Sequence, residues 1–156
     1  MEIVLTAIAR VESPRAGLED DGWGDVVSRI VLEPGMPGES LLGLDAFSHV
    51  EVVFHFHRIA EDDVTRGARH PRGNAAWPRV GILAQRGAPR PNRLGCTIAE
   101  VVAVEPRALV VRGLDAADGT PVLDVKPVMA EFLPRSPVRQ PAWSTELMRA
   151  YWHAPD

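Results

Sequence analysis

Gly113-Leu-Asp-Ala-Ala-Asp-Gly-Thr-Pro-Val-Leu-Asp-Val-Lys-Pro127 is the stretch from which the fold is read. Asp115 to Thr120 is turn chemistry, because Gly119 accepts a positive φ and Asp118 can bond the backbone beyond it. Val122, Asp124 and Lys126 then alternate with Leu123 and Val125, the period of a short strand. Pro121 suits the start of that strand and Pro127 its end, since proline has no N–H to give to the middle of a ladder. Asp124 and Lys126 stand two apart on one face, an acid and a base at a turn–strand junction. Lys126 is the only lysine of the chain, and its use in place of arginine points to a compact cation. In isolation such a pair reads as a surface ion pair.

Outward from this stretch the chain is mostly strand and turn. Glu2 to Val11 is apolar and β-branched, a first strand with both faces partly buried. Val26 to Leu32 reads as a second strand, and Pro34-Gly35 with Pro37-Gly38 marks a loop. Ser48 to His57 is a third, with Val50, Val52, Phe54 and Phe56 toward the core. Glu61 to Arg79 lacks apolar period and reads as a long loop. Val80 to Gln85 is a fourth strand, and Cys96 to Glu105 with Ala108 to Arg112 forms a hairpin around Pro106-Arg107. Near the end, Thr145 to Trp152 reads as a short helix capped by Ser144 and stapled by Trp143 and Met148, a helical tail over 143–153. The expected fold class is mainly β: a small closed or nearly closed barrel with long loops, because closure hides sheet edges. The 156 residues read as a single domain.

Composition narrows the function. The apolar fraction of 46% supports a proper core. No apolar run reaches the length of a membrane span, and the N-terminus lacks the layout of a signal peptide. Cys96 is alone, so no intramolecular disulfide is expected and a reducing cytoplasm fits. The net charge of −4 argues weakly against nucleic acid. Yet Val64 to Ala99 contains no Asp or Glu and holds Arg66, Arg69, Arg72, Arg79, Arg86, Arg90 and Arg93. This is either an anion site or a basic loop paired with acidic neighbours. Within it, Arg86 to Gly95 carries guanidinium forks on a proline-stiffened loop, suited to carboxylate or phosphate.

His49, Glu51, His55 and His57 share the outer face of the third strand. His55-Phe56-His57-Arg58-Ile59-Ala60-Glu61 has the His-x-His-x-x-x-Glu spacing of cupin metal sites. The preceding glycine of that pattern is absent and no second half follows, so the reading without a metal is favoured.

Several motifs in order carry a resemblance. They are Ser13-Pro14, Gly43-Leu-Asp-Ala-Phe-Ser-His49, Phe54-His-Phe-His-Arg58, Gly81-Ile-Leu-Ala-Gln-Arg86, Arg90-Pro-Asn-Arg-Leu-Gly95 and Asp118-Gly-Thr-Pro-Val-Leu-Asp-Val-Lys-Pro127. From Ile3 to about Pro134 the chain resembles the TsaA-like family, also called YaeB-like or TrmO, in a short branch. It departs from the family pattern at Gln85, Gly87, Ala88 and Val128, and at Arg93, where the family usually has proline.

The resemblance implies a β-barrel that binds S-adenosylmethionine, pairs as a homodimer and methylates N6 of threonylcarbamoyl-adenosine beside the anticodon of tRNA. It implies cofactor contacts at Ser13, Pro14, Arg15, His57, Arg58, Arg86, Cys96, Asp118, Gly119, Thr120 and Pro121. Arg86 or Arg58 would hold the cofactor carboxylate. Asp124 or His57 would be the general base, with Lys126 orienting. A tRNA would be held through Arg66, Arg69, Arg72, Arg86, Arg90 and Arg93. Three other readings stay open: methylation of a small molecule, a non-catalytic S-adenosylmethionine-binding module, and the metal site.

Overall fold

Strands form where inward positions are apolar on a two-residue period. The structure, a computed structural model, describes residues 1–153. In β3 (His49–His55), Val50, Val52 and Phe54 are buried while the residues between them are not. The same alternation runs through β1 (Ala9–Glu12), β2 (Val27–Leu32), the first half of β6 (Leu94–Glu105) and β7 (Ala108–Arg112). With β8 (Pro121–Pro127) these strands close an all-antiparallel barrel in the order β1-β2-β7-β6-β3-β8. The mainly β barrel class read from sequence is therefore the observed one. Two short strands, β4 (Ala68–Arg69) and β5 (Val80–Gly81), pair outside it.

Four expected elements differ. The first strand does not begin at Glu2. Ile8 still bonds Val122 and Glu33, but the residues before it have no ladder partner, and Ile3, Val4 and Leu5 are 70%, 85% and 61% exposed. Propensity alone does not make a strand without an edge to pair with. The fourth strand stops at Gly81, and Ile82–Ala84 winds into a 3-10 turn that buries Ile82. The terminal helix, α1, runs Ala142–Leu147 and not Thr145 to Trp152. Pro141 occupies its cap, the Ser144 hydroxyl donates to the Pro141 carbonyl (2.8 Å), and Ala150–Trp152 leaves the helix to bond another segment. In β8, a register shift against β3 pairs Val53 with Asp124 but Phe54 with Val122. Strict alternation is broken there, so Val122 and Val125 both pack on the core while Asp124 stays on the outer wall. Among the described residues no helix is long and apolar enough to cross a membrane.

Candidate functional site

Antiparallel pairing gathers the C-terminal ends of β1 and β3 and the N-terminal ends of β6 and β8 at one mouth of the barrel. Ser13–Arg15 leaves β1 there, His57–Arg58 leaves β3, Cys96 lies near the start of β6, and Asp118–Pro121 enters β8. Four segments far apart in sequence meet because the register places their strand ends together. Leu114, Ala116 and Ala117 are buried in the approach to the same turn.

Two of these segments are tied directly. The Ser13 N–H donates to Asp118 Oδ1 (3.0 Å), and the Asp118 N–H donates to the Arg15 carbonyl (2.9 Å). The Gly119 N–H donates to the Val11 carbonyl at 2.8 Å. Gly119 has φ +81°, a conformation that glycine takes without steric cost. His57 stands beside this turn, its Nε2 3.8 Å from where a β-carbon on Gly119 would lie. Thr120 is buried and its hydroxyl donates to the Ala117 carbonyl (2.7 Å).

The arginines divide into braces and open groups. Arg58 donates to the carbonyls of Ala16 and Asp118, the latter at 3.0 Å, and so ties the two loops together. Arg15 donates to the carbonyls of Asp21 (2.9 Å) and Gly22 (3.0 Å) and lies 3.9 Å over the Trp23 ring. Arg86 is exposed and donates to the Cys96 carbonyl (2.5 Å). Arg58 is exposed too, but it engages two carbonyls and Arg86 only one, so Arg86 keeps more of its donors free for the cofactor carboxylate. In the wider basic segment, Arg66 and Arg93 pair with Glu61, and Arg72 pairs with Asp20 and Asp21. The basic segment is thus partly paired with acidic neighbours.

Arg93 also has φ +51°. A proline ring fixes φ near −65°, so this backbone excludes proline at 93. The side chain holds the strained turn in place, donating to the Ile59 carbonyl at 2.6 Å.

Asp124 and Lys126 lie on the outer wall of the barrel. Asp124, Val53 and Cys96 form one row across β8, β3 and β6, and Lys126, Glu51 and Ile98 form the next. Lys126 Nζ pairs with Asp124 at 2.7 Å, and the Cys96 thiol donates to Glu51 Oε1 at 3.0 Å. Burial, with Glu51 adding to it, pushes the Cys96 thiol up to about 11. Cys96 is then protonated at neutral pH, and its alkylation by iodoacetamide should stay slow at pH 9, where an ordinary thiol reacts readily. Glu51→Gln removes the negative charge while keeping an oxygen acceptor, so the alkylation profile should move to lower pH. A wild-type midpoint near pH 8.5 would contradict this environment.

The histidines do not assemble into a metal centre. His49 and His55 lie at opposite ends of β3, about 20 Å apart at ~3.3 Å per residue. His49 bonds Ser48 (2.7 Å). Among the described residues no three metal-ligating side chains gather. Burial holds the imidazoles of His55 and His57 below the usual histidine range, with Arg93 adding to it at His55 and Arg58 at His57. Both are therefore neutral at pH 7 and His57 is able to accept a proton.

Sequence reasoning misses three residues at the mouth. Asp115 accepts from the Thr97 hydroxyl and from the Tyr151 hydroxyl. By local pattern Asp115 belongs to a turn and Tyr151 to an apolar stripe. Nothing in local spacing reveals that they meet.

A family model described as the tRNA-methyltransferase O N-terminal domain matches residues 10–132. The chain belongs to this family. Within the TrmO N-terminal domain family, it is 41% identical over 96 residues to the tRNA (adenine(37)-N6)-methyltransferase of Mus musculus, covering 62% of this chain and 22% of that protein. It is 33% identical over 132 residues to the probable S-adenosyl-L-methionine-binding protein VirR of Rhizobium radiobacter, covering 85% of this chain and 70% of that one. The crystal structure of TrmO from Pseudomonas aeruginosa superposes with a TM-score of 0.71 at 27% identity, covering 89% of this chain and 61% of that one. The chain thus spans about a fifth of the mouse protein and under two thirds of the solved TrmO. The family-model match ends at residue 132, before α1, so Pro141 to Trp152 lies outside that match.

Proposed function

We propose that this chain is an S-adenosylmethionine-dependent methyltransferase acting on N6 of threonylcarbamoyl-adenosine next to the anticodon of tRNA. The observation that carries the reading is the convergence, at one mouth, of Ser13–Arg15, His57–Arg58, Arg86, Cys96 and Asp118–Pro121. S-adenosylmethionine, when bound, supplies an electrophilic methyl carbon on a sulfonium. The residues fit it: Arg86 is an open guanidinium for a carboxylate, and the tied Asp118–Gly119 turn offers polar backbone. Neutral His57 or the Asp124 carboxylate would take the proton lost from the acceptor nitrogen as the N–C bond forms and the methyl–sulfur bond breaks to leave a neutral thioether, with Lys126 holding Asp124. Arg69, Arg79 and Arg90 are the remaining candidates to meet phosphates beside Arg86. The reading includes a cytoplasmic, single-domain chain that pairs as a homodimer, and the uncovered Ile3, Val4 and Leu5 support pairing.

The internal pairing of Arg66, Arg72 and Arg93 favours one second reading, methylation of a small acceptor. Transfer of labelled methyl from S-adenosylmethionine to tRNA carrying threonylcarbamoyl-adenosine separates the two. The wild-type protein should label that tRNA, with a rate that falls steeply as salt rises. Arg86→Ala should raise the cofactor KM about tenfold or more, the size of a lost charge-assisted hydrogen bond. Cofactor binding with no label in tRNA moves the conclusion to a small acceptor. A folded protein that binds no cofactor overturns both.

A further inference from the structure

Residues 150–152 make a hydrogen-bonded strap. The N–H groups of Gly22, Trp23 and Gly24 donate in succession to the carbonyls of Ala150, Tyr151 and Trp152, at 3.0, 2.9 and 2.9 Å. A β-carbon on Gly24 would stand 1.9 Å from the Trp152 carbonyl oxygen, so the strap lies directly on the glycine. The segment that leads into the strap is held as well, by Trp77 Nε1 donating to Glu146 at 2.8 Å. Tyr151 then turns its hydroxyl onto Asp115.

Both landing points lead into the candidate site. Residues 21–23 are what Arg15 grips, through two carbonyls and the Trp23 ring, and the backbone of Arg15 closes the Ser13–Asp118 tie. Asp115 also takes the hydroxyl of Thr97, the neighbour of Cys96, whose carbonyl holds Arg86. The strap thus braces the Ser13–Arg15 side and the Cys96–Arg86 side at once. Burial and the Asp115 carboxylate hold the Tyr151 phenol well above its usual range, so it stays a donor at any working pH.

We propose that the strap sets the spacing of these two sides, and that Tyr151 is a positioning residue for the cofactor, acting through Asp115. The inference rests on the S-adenosylmethionine reading above. It assigns a function to a segment that the family match does not cover.

The test uses the full chain and S-adenosylhomocysteine, the demethylated product, as the calorimetric probe, with labelled methyl transfer alongside. Tyr151→Phe removes one oxygen and keeps the ring, which packs edge-on against Trp152 at 4.9 Å. Its Kd and cofactor KM should rise about five- to tenfold, the size of one hydrogen bond. The kcat at saturating cofactor should fall less than about twofold, because the strap does not touch the reacting atoms. Gly24→Ala, which pushes the strap off its seat, should shift Kd in the same direction with Tyr151 intact. Wild-type binding that Tyr151→Phe leaves unchanged overturns the role of the strap alone. A parallel loss of kcat, affinity and thermal stability in both variants also overturns it, because that is the signature of general destabilisation. No binding by the folded wild type overturns the cofactor reading and this proposal with it.

Discussion

Gly119→Val is expected to reduce S-adenosylmethionine affinity about tenfold or more while leaving the barrel folded. The reason is conformational and not steric. The position has φ +81°, and the only neighbour that an added β-carbon meets is His57 Nε2 at 3.8 Å. A β-branched residue held in the left-handed region costs on the order of 1–2 kcal/mol or more. The turn relieves that cost by rotating, which breaks the Gly119–Val11 bond and carries Asp118 away from Ser13. Gly119→Asn provides the control, since asparagine visits this region with little penalty. Calorimetric titration of the two variants should give weak binding for valine and near wild-type binding for asparagine. Equal affinities in both would remove the turn from the cofactor site.

Phe54→Ala should be the most destabilising single truncation in β3, by about 3–5 kcal/mol. Phe54 is 1% exposed, is the largest of the fully buried side chains, and meets Phe56 edge-on at 5.3 Å. Truncation leaves a void where Val122 and Gly95 pair opposite it on the two flanking strands. Urea unfolding should show a lower midpoint with little change in slope, because the native barrel still buries nearly the same surface. A loss below about 1 kcal/mol would mean that the core collapses onto the void, contrary to a closed barrel with fixed register. The residue also sits at the β8 register shift, so the exit of β3 toward His57 should loosen with it.

Much of this architecture is legible in short-range rules. The Asp118-Gly119 turn, the inward row Val50, Val52 and Phe54, and the hairpin around Pro106-Arg107 each follow from one. A tight turn needs a positive φ and a buried strand face needs a period of two, and both are written in neighbouring residues. The candidate segments are legible for the same reason: Ser13-Pro14, the arginine loop and the Asp118–Pro121 turn are local motifs. The errors share the opposite cause. Ile3 to Ala7 has the composition of a strand but finds no edge. Thr145 to Trp152 has the period of a helix, yet its second half gains more by bonding Gly22–Gly24 than by continuing the coil.

By itself, then, the sequence determined the class of fold, the positions of turns, and the residue types available to bind an anion or hold a tight loop. Only the tertiary structure decided which of them meet. Arg15 and Arg58 became braces and Arg86 stayed open because register, not spacing, sets which carbonyl lies within reach of each guanidinium. Val122 joined Val125 on the core while Asp124 stayed on the outer wall because the β8 register shift breaks the two-residue count between them. Tyr151 reached Asp115 because a terminal segment can only be placed once the barrel mouth that it crosses exists. Local rules act between near neighbours, whereas a site is a set of long-range contacts whose partners are fixed by strand order and closure.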